Sequence, residues 1–412
     1  MFLSEVAIYR KGKPAKKADS GNTLPILTPE YLRGKGVTET GLVTDNSILV
    51  EDNDVVLLWD GSNAGEFFKA KKGILASTMV KFLFSKHRID ESFFFYQLKY
   101  HEDFLKQQTN GSGIPHVDKE FLKRIKFTKT DKTEQTRIAQ ILSKADEAIA
   151  HTEALIAKYQ RIKTGLMQDL LTRGIDANGN IRSEETHQFK NSPLGRIPVE
   201  WEVVSVGNLC EMTLGKMLNK EAKKGIELYD YLGNRSVQWG KFDFSDIEQM
   251  SFTYDEREKF RLVAGDVLMC EGGEVGRCAI WREERADCYF QKAIHRLRFD
   301  QQKMKSEFFV SYFQMLIAQG VLKDYVSQTS IAHLTQEKLA TLPFVCPDST
   351  EQKRITTILG KIENDSKVES TVLRKLHSIK KGLMQDLLSG PREGVKLSNV
   401  TDQGFLINED KA

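Results

Sequence analysis

One stretch of this chain occurs twice. Thr133-Glu134-Gln135-Thr136-Arg137-Ile138 leads to Gly165-Leu166-Met167-Gln168-Asp169-Leu170-Leu171, and Thr350-Glu351-Gln352-Lys353-Arg354-Ile355 leads to Gly382-Leu383-Met384-Gln385-Asp386-Leu387-Leu388. The offset is constant, since 350 − 133 and 383 − 166 both give 217, so the two copies run in one gapless register. Such a repeat limits the fold more than any local preference does, because it demands two copies of one structural unit.

Each copy carries apolar residues at three- and four-residue steps: Ile138, Ile141, Leu142, Ile149 and Leu166 in the first, Ile355, Ile358, Leu359, Val372 and Leu383 in the second. That spacing predicts two long amphipathic helices, each with a single apolar stripe. Thr133 and Thr350 are the predicted N-caps, with Glu134 and Glu351 in the first turn near the positive end of the helix dipole. Gly174 and Gly390 are the predicted stops. Two such stripes can cover each other by antiparallel packing. The resulting rod would be roughly 58 Å long at 1.5 Å per residue.

A chain of 412 residues is long enough for two to four domains. The net charge of +3 is too small to mark a nucleic-acid binder by itself, so any basic surface must be local. None of the five cysteines (Cys210, Cys270, Cys278, Cys288, Cys346) forms a CxxC pair, which favours core thiols over a zinc site. No apolar run is long enough to span a membrane and no leader pattern is evident. The expectation is therefore a cytoplasmic, reduced protein without membrane contact.

Divided along the chain, residues 1–130 form a first globular unit and 131–174 the first helix. A linker over 175–195 follows, rich in turn residues such as Asp176-Ala177-Asn178-Gly179-Asn180. A second globular unit spans 196–345, the second helix 346–390 and a polar tail 391–412. Val55–Trp59 and Ile74–Ala76 read as strands around the turn Asp60–Gly65, and 266–270 and 278–281 read as strands around Glu271–Gly276. Aromatic-rich 92–105 and 308–319 read as matching helices. The fold class is therefore α+β: two mixed, mainly β domains joined by two long antiparallel helices, with a pseudo-two-fold internal repeat. No GxxxxGK[ST] loop, HExxH or Asn-Pro-Pro-Tyr-like motif is present, and no catalytic constellation emerges.

The order globular unit, helix, globular unit, helix, with TEQxRI opening and GLMQDLL closing each helix, resembles the specificity subunits of type I restriction–modification systems. Leu194-Gly195-Arg196-Ile197-Pro198-Val199-Glu200-Trp201-Glu202 is similar to that family's lead into its second target-recognition domain. Pro347 precedes the second TEQ, whereas the first copy has Thr130 where proline is usual. The resemblance implies a non-catalytic subunit that reads a split, asymmetric site on double-stranded DNA. It also implies a scaffold for two methyltransferase subunits and for restriction/translocase subunits. No cofactor is then expected on this chain, and S-adenosylmethionine, ATP and Mg belong to the partners. A coiled-coil scaffold with protein-binding ends, and an enzyme whose site escapes motif reading, are the other classes. A steep salt dependence of duplex binding separates the first of these, and methyl transfer by the isolated chain the second.

For a DNA reader, lysines that neutralise phosphates give affinity without sequence information. Lys11, Lys13, Lys16 and Lys17 in the first unit and Lys216, Lys220, Lys223 and Lys224 in the second are the candidates, with Gly12-Lys13 and Gly215-Lys216 as equivalent points. Arginine can bridge guanine, and asparagine or glutamine adenine. Asn234, Arg235 and Gln238 are therefore the candidate base readers of the second unit, and Arg33 and Lys35 their first-unit counterparts. His295-Arg296-Leu297-Arg298 alternates like a strand that could turn one face to DNA, and Asp60 and Glu271 stand where a carboxylate could either accept a cytosine amino group or stabilise a turn. Met167 and Met384 fall outside the mutual helix stripe and are the candidate contacts to methyltransferase subunits.

Overall fold

The computed structural model describes residues 1–36, 39–110, 114–219, 222, 225, 227–325, 327–328 and 332–389. The chain forms two compact units, Met1–Ala154 with Ser370–Ala412, and Leu155–Glu369. Each unit combines a β-rich part with one portion of each long helix. Four helices matter below: α1 (Glu91–Tyr100), α2 (Lys132–Thr172), α3 (Ser306–Ala318) and α4 (Ser349–Leu388). The predicted aromatic helix over 92–105 is two helices, since α1 ends at Tyr100 and a second one spans Glu102–Gln107.

The long helices start two residues earlier than the predicted first turn, and the caps differ from the prediction. Asp131 and Asp348, which share the offset of the repeat, supply the capping carboxylates: Glu134 N donates to Asp131 Oδ1 at 2.9 Å, and Glu351 N to Asp348 Oδ1 at 3.0 Å. Aspartate caps better than threonine and adds a charge at the positive helix end. Gln135 and Gln352 follow and are buried. Gln135 Oε1 accepts from Asp90 N at 2.9 Å, and Gln352 Oε1 from Lys305 N at 2.8 Å. Each glutamine thus satisfies a free backbone donor at the start of α1 or α3, which explains why the repeated motif needs Gln there.

In unit 1, strands β1 (Ala7–Lys11), β5 (Val55–Leu58), β6 (Phe67–Lys69) and β8 (Met79–Phe84) form an antiparallel sheet in the order β1-β8-β5-β6. A second sheet has the order β3-β2-β7-β4, from β2 (Thr23–Leu27), β3 (Thr40–Leu42), β4 (Leu49–Val50) and β7 (Gly73–Leu75), with β2 and β7 parallel. The Asp60 turn therefore leads into β6, not directly into the strand at 73–75. Phe67, Phe82, Phe93 and Phe94 fill the core, and Ile138 and Leu142 of α2 and Leu388 of α4 close it.

Unit 2 repeats this plan. Its strands β9 (Cys210–Leu214), β12 (Val267–Cys270), β13 (Cys278–Ile280) and β15 (Ile294–Phe299) are ordered β9-β15-β12-β13. Its second sheet is β11-β10-β14, from β10 (Tyr229–Leu232), β11 (Glu248–Met250) and β14 (Tyr289–Phe290), with β10 and β14 again parallel. Phe308, Phe309 and Phe344 pack with Leu170 and Leu171 of α2 and Ile355 and Leu359 of α4. In unit 1 the start of α2 shares a core with the end of α4, and in unit 2 the end of α2 shares one with the start of α4. Within each unit the helices thus run antiparallel.

A buried node secures the helix ends of unit 2. Glu351, 5% exposed, accepts from Ile175 N at 2.8 Å, from Trp201 Nε1 at 3.1 Å and from Arg182 Nη2 at 3.1 Å. Burial works against the Arg182 charge, but the bond to Glu351 outweighs it and raises the guanidinium pKa. Gly174 ends α2 with φ +65°, and a Cβ there would lie 2.1 Å from Glu351 Oε1 and 2.5 Å from Trp201. The predicted stop at Gly174 is therefore obligatory here; Gly390 and the tail 391–412 lie outside the described residues. The cysteines carry free thiols, Cys270, Cys278 and Cys288 being buried. Among the described residues no His/Cys/Asp/Glu group suits a metal ion, and no helix is long and apolar enough to cross a membrane.

Candidate nucleic-acid interface

Each unit has a matching loop where the first strand of its antiparallel four-stranded sheet ends. In unit 1, β1 ends against the 76–79 turn: Gly12 N donates to Met79 O at 2.8 Å, and a Cβ on Gly12 would sit 2.1 Å from Ala76 O. In unit 2, Gly215 N donates to Ile294 O at 3.1 Å, and its Cβ would sit 2.2 Å from Gln291 O. Only glycine permits that approach. The equivalence of Gly12-Lys13 and Gly215-Lys216 is thus a backbone fact, while the lysines that follow diverge.

Lys13, Lys16 and Lys17 are exposed, and Lys11 is half-exposed. Lys11 pairs with Asp60 at 2.6 Å, Lys17 with Glu39 at 2.5 Å, and Lys13 Nζ donates to Asn46 Oδ1 at 3.2 Å. The exposed Lys17–Glu39 pair contributes under about 1 kcal/mol, so a phosphate can displace that carboxylate at little cost. Asp60 also lies 2.6 Å from His116 Nδ1. Burial opposes its charge, yet the bonds from Lys11 and His116 hold its carboxyl below the usual range. Asp60 is therefore engaged as a turn clamp, the second of its two expected roles.

Lys216 differs. Its side chain is 13% exposed, its ammonium donates to Ser251 O at 2.8 Å and to Glu256 at 2.5 Å, and it lies 5.0 Å from the Phe252 ring centre. This lysine is an internal cation, and the expectation that it meets phosphate is corrected on that ground. Beside it stands Lys292, exposed, whose N–H donates to Lys216 O at 2.7 Å. Sequence reading missed Lys292 because attention there falls on the alternating His295, Arg296 and Arg298 that follow it. Lys220, Lys223 and Lys224 lie outside the described residues.

Among the candidate base readers, Arg33 is held by Glu66 through Nη2 and through Nε at 3.2 Å, with Phe68 beneath its guanidinium. That hydrogen bond, against the opposing effect of burial, raises its pKa, and its fork is occupied. Lys35 is exposed. In unit 2, Asn234 Nδ2 donates to Gly272 O at 3.0 Å, and Arg277 Nη2 donates to Asn234 O at 2.8 Å. Asn234 thereby fastens its loop to the 271–277 turn and is not presented to a base edge. Arg235 is exposed, and Gln238, half-buried, donates to Arg235 O at 2.7 Å. Trp239 Nε1 bonds to Glu274, fixing the far end of the same loop. Arg235, exposed, and Gln238, half-buried, are the two members of this loop left nearest to solvent among the candidates. Two histidines complete the pattern, since isolated bridges join Asp60 to His116 and Gly272 to His333. His116 and His333 share the offset of the long helices (333 − 116 = 217), a signal the repeat contained.

The alternating segment 295–298 is buried up to Leu297. His295 is 0% exposed and bonds to Leu334 O at 3.0 Å; burial, the largest influence, lowers its pKa. Arg296 is 2% exposed and donates to Lys259 O at 2.8 Å, and Arg298 forks onto buried Asp266 at 2.7 Å. His295 and Arg296 offer no face to DNA, and Arg298, a third exposed, is engaged by Asp266. Met167 and Met384 also differ from expectation: each is half-buried against the core of its own unit. The exposed apolar positions on the long helices that share the repeat offset are Ile162 (37%) and Ile379 (48%).

Comparison with known proteins gives this geometry a family. Residues 1–161 and 198–378 match the type I restriction modification DNA specificity domain. The chain is 30% identical over 394 residues to the type I restriction enzyme MjaVIII specificity subunit of Methanocaldococcus jannaschii, covering 93% of this chain and 90% of that one. It is 25% identical over 324 residues to the putative MjaX specificity subunit of the same organism, covering 74% and 69%. The fold is similar to the crystal structure of the type I restriction–modification S subunit from M. genitalium (TM-score 0.59, 14% identity, 95% and 96% covered). It is also similar to a chain from a structure of type I R-M complex assembly (TM-score 0.51, 14% identity, 93% and 97% covered). Two matched copies and a relative aligned over nearly the whole length establish that this chain belongs to the specificity subunits of type I restriction–modification systems, their non-catalytic DNA-recognition components.

Proposed function

We propose that this specificity subunit reads a bipartite, asymmetric DNA site, one half with each β-rich part, and carries two methyltransferase subunits, with restriction/translocase subunits joining the assembly. S-adenosylmethionine, ATP and Mg act on those partners. One observation carries the reading: both units keep the same strand order in the antiparallel four-stranded sheet and the same glycine approach, while the side chains at the loop ends differ. A shared framework with divergent tips suits two readers of different sequences. Lys11, Lys13, Lys16 and Lys17 serve phosphates in the first half, and Lys292 with Arg235 and Gln238 serve the second.

Duplex binding tests this. Lys16→Ala with Lys17→Ala should weaken binding to every sequence alike and flatten the salt dependence by about one to two counterions. Arg235→Ala with Gln238→Ala should relax one half-site by roughly 1–3 kcal/mol of discrimination and leave the other intact. Binding without a salt slope would return the chain to the protein-scaffold class.

For the methyltransferase contact, Ile162 with Gly165 and Ile379 with Gly382 replace the two methionines. Both glycines are exposed and have nothing within 4 Å of an added Cβ. Glycine inside an exposed helix costs roughly 0.5–1 kcal/mol relative to alanine. Its presence in both copies fits close approach of a partner backbone.

A further inference from the structure

The internal repeat also exposes one difference that surface divergence does not cover. In unit 1, Tyr96 of α1 is 1% exposed, and its hydroxyl donates to Asp146 Oδ2 at 2.7 Å and lies 3.2 Å from Ser143 Oγ. Lys380 pairs with Asp146, and its ammonium is 5.8 Å from the Tyr96 ring centre. The phenol is thus enclosed between α1 and the two long helices.

The counterpart positions in unit 2 follow from matching contacts. Gln135 meets Asp90 N as Gln352 meets Lys305 N, and Phe94 meets Phe127 (5.2 Å) as Phe309 meets Phe344 (4.7 Å). Along α1 and α3 the offset is therefore 215, and Tyr96 corresponds to Ser311. With the 217 offset of the long helices, Ser143 corresponds to Gly360, Asp146 to Glu363 and Lys380 to Lys163. The charged pair persists, Lys163 to Glu363 at 3.2 Å, but the ring and the serine are gone. In their place is a cavity of about 520 Å³, lined by Ser311, Gly360, Glu363, Lys163, Val310 and Met167 among others. An added Cβ on Gly360 would meet nothing within 4 Å.

We propose that this cavity is a binding site for a para-substituted phenol. The hydroxyl donates to Glu363, whose carboxylate can accept beyond its bonds from Lys163 and Lys367. The ring takes the space that Tyr96 fills in unit 1, and Lys163 stands to it as Lys380 does to Tyr96. The volume lies in the range of ligand pockets, roughly 300–1,000 Å³, and exceeds a single ring, so a substituent can lead out to solvent. A tyrosine side chain of a partner subunit and a free phenolic compound share this chemistry.

Saturation-transfer NMR on the full chain with 4-methylphenol tests the site, with toluene as the ring without a hydroxyl. 4-Methylphenol should bind at least about tenfold more tightly than toluene, as a hydrogen bond to a charged acceptor requires. Ser311→Tyr should abolish binding and raise Tm by restoring the unit 1 packing. Should that variant not fold, Glu363→Gln must reduce the preference for 4-methylphenol over toluene. Repeating the titration on the chain with its methyltransferase separates the sources: loss of binding identifies a partner tyrosine, retention a free phenol. No binding, equal binding of toluene, or binding indifferent to both substitutions would overturn the proposal.

Discussion

Gly174 and Gly165 lie on the same stretch of chain and answer to opposite demands. At Gly174 the backbone is left-handed and an added Cβ would collide with Glu351 and Trp201. Gly174→Ala should therefore destabilise the protein by roughly 2–4 kcal/mol, read as a lower denaturation midpoint. The histidines set a pH limit. His101 and His295 both have pKa values lowered by burial, which their bonds to Lys126 O and Leu334 O only partly oppose; Glu271 and Glu337 also favour the charged form of His295. Unfolded histidine titrates near 6.5. The contribution of these histidines to stability is thus full above about pH 6.5 and is lost as pH falls from there through the lower folded pKa values, because the unfolded chain takes up protons the folded chain refuses. Melting at pH 7.5 and 5.5 should show this loss, and His101→Gln with His295→Gln should reduce it. Residue roles were the least legible part of the sequence. Lys13 and Lys216 follow equivalent glycines, yet Lys216 is claimed by Glu256, far along the chain, and no local pattern announces such a pair.

The two long helices were legible because their apolar period persists over 41 and 40 residues, and a stop glycine marks the first. Their caps were misplaced by two positions, since Thr133 and Thr350 look as suitable as Asp131 and Asp348 until the backbone bonds are seen. The parallel pairing of β2 with β7, and of β10 with β14, was not legible at all: short strands separated by long insertions leave no mark of which neighbours they choose. Helix glycines offer a sharp test of the partner surface. Gly165→Ala with Gly382→Ala should stabilise the isolated chain by roughly 0.5–1 kcal/mol per site while reducing co-purification of the methyltransferase. Stabilisation with undiminished co-purification would remove these glycines from the interface.

For the molecule as a whole, duplication was evident from the constant offset between the two helix copies, and the repeated strand order extends it to parts whose sequences have diverged. The bases that each half would read under the proposed function were not legible, because the same framework supports different loop tips. If continuous helices set the spacing between half-sites, one heptad inserted into both should add about 10.5 Å with little rotation of the stripe. The unread gap should then grow by about three base pairs, with the bases at either end unchanged. The most direct measurement is to sequence the methylated sites in cells that carry this chain and a cognate methyltransferase subunit. Our account predicts one motif made of two different specified halves around a gap of unread bases. A single contiguous motif, or a methylation pattern independent of this chain, would contradict it.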